Sequence, residues 1–222
     1  MMSAKIREQA FHAWLEARTG GFAEVVPGLH RGAFEDFRLD AGAMAARGWS
    51  EMPLDVGHGL KVGGYDEDRA VYTSPIFAGD GEEARTVHLG VDIFAAPGTP
   101  VFAPLDGRVH SFQDNAGALD YGPTIVLEHF VSRALVFYTL YGHLSRESLE
   151  ALYPGKPFRA GERMAELGDA TVNGGWAPHL HFQVVLDLMG RTGDFPGVVK
   201  LGERAGWKTI CPDPGRLLGI AP

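Results

Sequence analysis

Residues 87–109 read VHLGVDIFAAPGTPVFAPLDGRV, and this segment predicts short β-strands joined by tight turns. Its apolar runs, Val87–Phe94 and Pro100–Pro104, have the length and composition of strands. The dipeptides Pro97-Gly98 and Asp106-Gly107 are typical of turns. Because no helix-length stretch separates the runs, we expect neighbouring strands to pair antiparallel.

Similar short apolar runs continue on both sides of this segment. The 30 glycines and 14 prolines among 222 residues favour many turns over a helical bundle. Among the runs, only Arg146–Tyr153 has helical periodicity. The sequence therefore predicts a mainly β, antiparallel domain. The other strand-like runs are Val71–Phe77, Gly107–Phe112, Thr124–His129, Leu135–Tyr141 and His179–Leu186.

The amino-terminal part of the chain has a different pattern. Apolar side chains recur at helical spacing over residues 4–18 and stop at a glycine pair, which predicts an amphipathic helix. The residues that follow are less regular. We therefore divide the chain into a helical or irregular extension, residues 1–60, and a β domain, residues 61–222. The extension is expected to pack on the domain or to cover its site.

Composition limits the partners of the chain. The net charge is −8 and the basic residues are scattered, which argues against nucleic acid and against an anionic membrane surface. No apolar run reaches the ~20 residues of a membrane span, and no export signal is visible, so a cytoplasmic location is expected. The single Cys211 excludes an internal disulfide and a multi-cysteine zinc site. No feature of the sequence predicts the oligomeric state.

Two histidines share one face of a predicted strand. In a strand from His179, the imidazoles of His179 and His181 point the same way, ~6.6 Å apart. The opposite face carries apolar residues and must lie on a core. An H-x-H pair alone is weak support for a metal site in a chain with nine histidines.

A second cluster, His88-Leu89-Gly90-Val91-Asp92, supplies an imidazole and a carboxylate. On a straight strand these two side chains would lie ~13 Å apart, too far to share one ion. Gly90 allows a kink that could bring them together. Two neutral imidazoles and one carboxylate suit Zn²⁺ better than Ca²⁺ or Mg²⁺, and they leave a fourth position for water.

Together with Tyr141-Gly142-His143-Leu144, these clusters resemble the LytM/lysostaphin-type zinc metallopeptidases. The pattern H-x-x-x-D, then Y-x-H-L, then H-L-H-F occurs in that order over about residues 70–190. The resemblance implies an antiparallel β-sheet with a groove across it. It also implies Zn²⁺ ligands and two catalytic histidines. The implied ligands are His88, Asp92 and His181, and the implied catalytic pair is His143 and His179.

Two departures bear on the substrate: Trp176-Ala177-Pro178 replaces a usual Ser/Thr-Gly-Pro, and Gln183 replaces a usual Glu. The expected function is a zinc-dependent metallo-endopeptidase acting through metal-activated water, with peptidoglycan cross-links as one candidate substrate. A second reading, favoured by the acidic charge, is an intracellular zinc peptidase or amidohydrolase with a non-wall substrate. A third is a non-catalytic binding or regulatory domain of the same fold.

Overall fold

The computed structural model describes residues 3–78 and 83–220. Short 3₁₀ turns lie between some of the helices and strands. The helices are α1 (Ala4–Ala17), α2 (Ala41–Arg47), α3 (Arg204–Lys208) and α4 (Gly215–Leu218). The strands are β1 (Phe34–Asp36), β2 (Leu60–Gly63), β3 (Arg85–His88), β4 (Val91–Phe94), β5 (Pro100–Phe102), β6 (Gly107–Asn115), β7 (Gly122–Ser132), β8 (Leu135–Gly142), β9 (Pro157–Phe158), β10 (Arg163–Glu166), β11 (His179–Val185) and β12 (Val198–Lys200).

The main sheet has eight strands in the order β1-β2-β4-β11-β8-β7-β6-β9. Two small sheets pair β10 with β5 and β12 with β3. Among the described strands, every pairing is antiparallel except that of β1 with β2. The predicted fold class, a mainly β antiparallel domain, is confirmed.

The register at the centre of the main sheet places the candidate ligands side by side. On one flank of β11, His181 lies opposite Asp92 of β4. On the other flank, His181 lies opposite Gly142 of β8, the residue before His143. Strand pairing thus brings together residues that are far apart in the chain.

The run Val87–Phe94 is divided between two sheets. Its first half, β3, pairs with β12, whereas β4 pairs with β11 and β2. Leu89 and Gly90 separate the two strands. A Cβ at Gly90 would lie 2.7 Å from His181 Cε1 and 2.8 Å from the carbonyl oxygen of Phe182. Glycine is therefore required here, because the backbone passes against the imidazole. The kink expected at this position is present.

The core lies on both faces of β11. Leu180, Phe182 and Val184 belong to a large apolar cluster on one face, and Val185 belongs to a second cluster. Helix α1 closes the large cluster. Its Phe11 is fully buried, with its ring centroid 5.1 Å from that of Phe137. The predicted helix over residues 4–18 is thus observed and packs on the sheet.

Residues between α1 and β2 also contact the sheet. Phe37, Leu39 and Met44 form a third apolar cluster with Phe94 of β4. The N-cap of α2 is Asp40, whose side chain accepts a hydrogen bond from the backbone N–H of Ala43. The division of the chain at residue 60 stays a prediction.

Two local predictions are wrong. Val71–Phe77 is not a strand but bends and a 3₁₀ turn, Pro75–Phe77. Ser74 caps this turn, and Pro75 is favoured at its start because its missing N–H has no partner there anyway. Within Arg146–Tyr153, only Arg146–Leu149 forms a short 3₁₀ turn. No helix of the described residues is long and apolar enough to cross a bilayer.

Candidate metal centre

Three side chains from β3, β4 and β11 converge in the interior. His88 Nε2 lies 2.9 Å from His181 Nδ1 and 3.2 Å from Asp92 Oδ1. His181 Nδ1 lies 3.1 Å from the same carboxylate oxygen. All three residues are at most 3% exposed. Tetrahedral bonds of about 2.1 Å would place ligand atoms about 3.4 Å apart, so the triangle has the size that one Zn²⁺ requires.

The hydrogen bonds of the two imidazoles determine which nitrogen carries the proton. His88 Nδ1 donates to the carbonyl oxygen of Gly64 at 3.1 Å, which leaves a lone pair on Nε2. His181 Nε2 donates to Oε1 of Gln183 at 2.8 Å, which leaves a lone pair on Nδ1. The orientation of the Gln183 amide is fixed, because its Nε2 donates to the carbonyl oxygen of Pro196 at 3.1 Å.

Three acceptor atoms with no shared proton therefore face one another in a dry site. Such an arrangement is repulsive unless a cation lies between them. Burial lowers the pKa of His88 to about 4, so its imidazole is neutral at pH 7. Burial opposes ionisation of Asp92, but His88 and Arg69 outweigh it and hold the pKa of that carboxyl well below its usual range. The donor set of two neutral imidazoles and a carboxylate fits a zinc ion.

Two other histidines face the same cavity. His143 Nδ1 donates to the carbonyl oxygen of Asn173 at 3.0 Å, and His179 Nδ1 donates to that of Ala177 at 2.6 Å. Each therefore has a free lone pair on Nε2. Their ring centroids are 4.1 Å apart, and His179 Nε2 lies 3.8 Å from Asp92 Oδ1. Burial lowers the pKa of both, most strongly that of His143.

The backbone of His143 is in the left-handed region, with φ of 63°. This conformation is uncommon for a residue other than glycine. It costs free energy and persists only where surrounding contacts hold the backbone in place. Here the backbone N–H of His143 donates to the carbonyl oxygen of Tyr121 at 2.8 Å, and its own carbonyl oxygen accepts from the N–H of Gly168 at 2.9 Å. The strained residue carries one of the two imidazoles predicted to be catalytic.

The remaining histidines take no part in this cluster. His129 is buried in β7, where its ring nitrogens are bonded to the Asp106 carbonyl oxygen and to Thr139 Oγ1. The other four, His12, His30, His58 and His110, are partly or fully exposed. Among the described residues, the one group of His, Cys, Asp and Glu that could hold a metal is His88, Asp92 and His181.

A series of buried ion pairs that was not predicted from the sequence extends from Asp92 through Arg69 to Glu67. Arg69 donates from Nη1 to Asp92 Oδ2 at 2.5 Å and from Nε to Glu67 Oε2 at 2.8 Å. Both Arg69 and Glu67 are less than 10% exposed. The segment Gly63–Phe77 has the composition of a solvated acidic turn, so its charges gave no sign of burial.

A cavity of about 340 Å³ opens from the metal centre. One side of it is aromatic: the ring centroid of Tyr72 lies 4.8 Å from that of Phe77 and 6.1 Å from that of Trp176. Tyr121 lines the cavity beside the ligands, with its hydroxyl 3.4 Å from His181 Nε2. The cavity therefore joins a metal-binding cluster to a bulky apolar wall.

The loop before β11 is held by Asn173. The side chain of this buried residue accepts from the backbone N–H of Trp176 and donates to its carbonyl oxygen, both at 3.0 Å. The carbonyl oxygen of Asn173 accepts the His143 Nδ1 proton. One residue thus fixes both the aromatic wall and the tautomer of His143.

The site is thus a buried cluster of two histidines and one carboxylate in an antiparallel sheet, flanked by two further histidines. Residues 86–191 match Peptidase family M23. This segment is therefore similar to that peptidase family, and the resemblance to the LytM/lysostaphin family is confirmed.

A curated relative is an uncharacterized metalloprotease of Haemophilus influenzae, 36% identical over 96 residues. The match spans 43% of this chain and 18% of that protein. The chain is also similar to a zinc-containing peptidase from Vibrio cholerae (29% identity, TM-score 0.36, covering 45% of this chain and 27% of the other). A further similar structure is the catalytic domain of lysostaphin from Staphylococcus simulans (27% identity, TM-score 0.36, covering 52% of this chain and 76% of the other).

Proposed function

We propose that the chain is a zinc-dependent metallo-endopeptidase whose metal ligands are His88 Nε2, Asp92 Oδ1 and His181 Nδ1. The observation that carries this proposal is the dry triangle of three proton-free acceptor atoms, all within 3.2 Å of one another. The family match over residues 86–191 supports a peptidase chemistry for the site.

A zinc ion bound here would polarise the substrate carbonyl and lower the pKa of water at the site. The chain itself supplies proton transfer. His179 Nε2, the nearer to Asp92, would accept the proton of the attacking water. That same proton would pass to His143 Nε2, on the ring whose centroid is 4.1 Å away, and from there to the leaving amine as the C–N bond breaks. Both histidines start as neutral imidazoles with fixed tautomers, so that each Nε2 can accept a proton and release it again. The carbonyl oxygens of Asn173 and Ala177, which accept the two Nδ1 protons, fix these tautomers.

The test combines metal analysis with peptide hydrolysis by the full chain. His181→Ala should lose zinc and activity together. His143→Ala and His179→Ala should each retain zinc and lose about 10²-fold or more in turnover. His110→Ala, at a half-buried histidine outside the cavity, is the matched control and should behave as wild type. Loss of zinc in either catalytic variant would contradict the assigned roles, and a zinc-loaded wild type without hydrolytic activity would favour a binding or regulatory domain.

For the substrate, we propose a peptide with a bulky apolar side chain beside the scissile bond. The support is the aromatic wall of Tyr72, Phe77 and Trp176, since such a wall buries an apolar side chain but gains little from glycine. This favours a non-wall peptide over a glycine-rich cell-wall cross-link.

Trp176→Ser tests this substrate assignment, because it introduces a residue type that the LytM/lysostaphin pattern usually has there. The ratio of kcat/KM for a phenylalanine-containing peptide over its glycine counterpart should fall about 10-fold or more. Trp49→Ser is a control outside the cavity lining. Incubation of purified cell-wall sacculi with wild type tests the alternative substrate. Rapid release of cross-link peptides, together with an unchanged kcat/KM ratio for the Trp176→Ser variant, would favour the wall substrate.

A further inference from the structure

Arg69 lies outside the segment that matches the peptidase family, yet its guanidinium group is packed against the candidate metal centre. The residue is 2% exposed. Besides its bonds to Asp92 and Glu67, its Nη2 donates to the carbonyl oxygen of Gly64 at 3.4 Å. A charge buried to this extent needs well-placed partners and further hydrogen bonds to offset the loss of its hydration.

The contacts of Arg69 reach two of the three candidate ligands. Its bond to Asp92 uses Oδ2, so the carboxylate is turned with Oδ1 toward the imidazoles. The carbonyl oxygen of Gly64, which Arg69 also contacts, is the acceptor that fixes the Nδ1 proton of His88. One guanidinium group therefore orients the Asp92 carboxylate directly and the His88 ring through a shared carbonyl.

Glu67 fixes Arg69 in turn. One oxygen of this buried carboxylate accepts from Arg69 Nε at 2.8 Å, and the other accepts from the backbone N–H of Leu39 at 2.9 Å. Leu39 is itself buried in the apolar cluster that contains Phe94. The connection runs from the segment before β2 to the ligand on β4.

We propose that Arg69, held by Glu67, is a positioning residue of the metal centre that sets the Asp92 carboxylate and the His88 imidazole for the cation. This inference rests on the metal site proposed above. Groups bonded to metal ligands in this way typically change metal affinity by 10–100-fold when removed. A lysine cannot replace the arginine, since one ammonium group cannot span Asp92, Gly64 and Glu67 together.

The experiment measures the Zn²⁺ dissociation constant of the metal-stripped full chain by competition with a chromophoric chelator. Arg69→Met should weaken Zn²⁺ binding 10–100-fold, which corresponds to about 1.4–2.7 kcal/mol. Arg69→Lys and Glu67→Gln should each weaken it about 10-fold. The matched control is Arg7→Met, which removes an arginine paired with Asp187 and away from the centre, and it should bind zinc as wild type does.

Because Arg69→Met leaves buried carboxylates unpaired, Arg69→Lys provides the test if the methionine variant does not fold. Melting with and without Zn²⁺ distinguishes positioning from a structural role. Positioning reduces the zinc-induced rise in Tm, whereas a purely structural role lowers the metal-free Tm and leaves the rise unchanged. The double variant Glu67→Gln/Arg69→Lys should lose less than the sum of the single losses.

A folded Arg69→Lys protein with wild-type zinc affinity and a wild-type zinc-induced rise in Tm would overturn the inference. If the double variant loses as much zinc-binding free energy as the two single variants together, Glu67 does not act through Arg69 and has no part in the inference. If wild type itself binds no zinc, the failure belongs to the proposed metal site and not to Arg69.

Discussion

Replacement of Gly90 by alanine should damage the metal centre without touching a ligand. The added Cβ would lie 2.7 Å from His181 Cε1, 2.8 Å from His181 Nε2 and 2.8 Å from the Phe182 carbonyl oxygen. For the new Cβ to reach an ordinary van der Waals distance, the His181 ring and the backbone at Phe182 must move away by about 0.6 Å. This is about three times the ±0.2 Å by which metal–ligand distances vary, so His181 would no longer be in place to bind the ion. Overpacking of this kind costs about 1–3 kcal/mol.

The assay is thermal unfolding of metal-stripped protein, followed by chelator competition. For a chain of this size, each kcal/mol lowers Tm by about 2–4 °C, so a fall of about 2–12 °C is expected. Zinc affinity should fall more than 10-fold, since His181 is displaced. Gly206→Ala is the control, because a Cβ there would meet no atom within 4 Å. If Gly90→Ala melts like this control and binds zinc as wild type does, the close approach of Gly90 to His181 and Phe182 of β11 is refuted.

Two further predictions concern the core. Burial lowers the pKa of His129 to about 4. Between about pH 6.5 and pH 4 the unfolded chain therefore binds a proton that the folded chain does not, so the free energy of unfolding decreases as the pH is lowered through this range. His129 should therefore account for about 2 kcal/mol of stability lost between pH 7 and pH 5. Urea unfolding of metal-stripped His129→Gln should lack that part of the loss, and an unchanged pH dependence would contradict the assignment. Phe11→Ala should cost about 3–5 kcal/mol in the same assay, because its ring is fully buried against Phe137. Exposed Ile6→Ala is its control, and equal effects of the two would show that α1 does not pack as described.

The parts of the fold that could be predicted are those that depend on the pattern of neighbouring residues in the sequence. The apolar face of Leu180, Phe182 and Val184 identified β11, and the glycine between His88 and Asp92 indicated the kink. The strand runs in the second half of the chain had matching turn residues at their ends. These signals are local, so a single sequence suffices to see them.

The rest could not be predicted, because it depends on contacts between distant segments. Strands β9, β10 and β12 have two to four residues each, too few to show a period. Val71–Phe77 has the apolar content of a strand, but Ser74 and Pro75 turn it. The roles of Glu67 and Arg69 arise only when their segment folds against β4, since nothing in an acidic stretch distinguishes a buried ion pair from solvated charges.

The separation of His88 and Asp92 into different sheets has a mechanical consequence. His88 ends a strand of the small β3–β12 sheet, whereas Asp92 and His181 belong to the eight-stranded sheet. A cation bound by all three side chains would cross-link the two sheets. No disulfide can do so within this chain, because it has a single cysteine. Chelation would then loosen β12 and the carboxyl-terminal helices that follow it before the central strands.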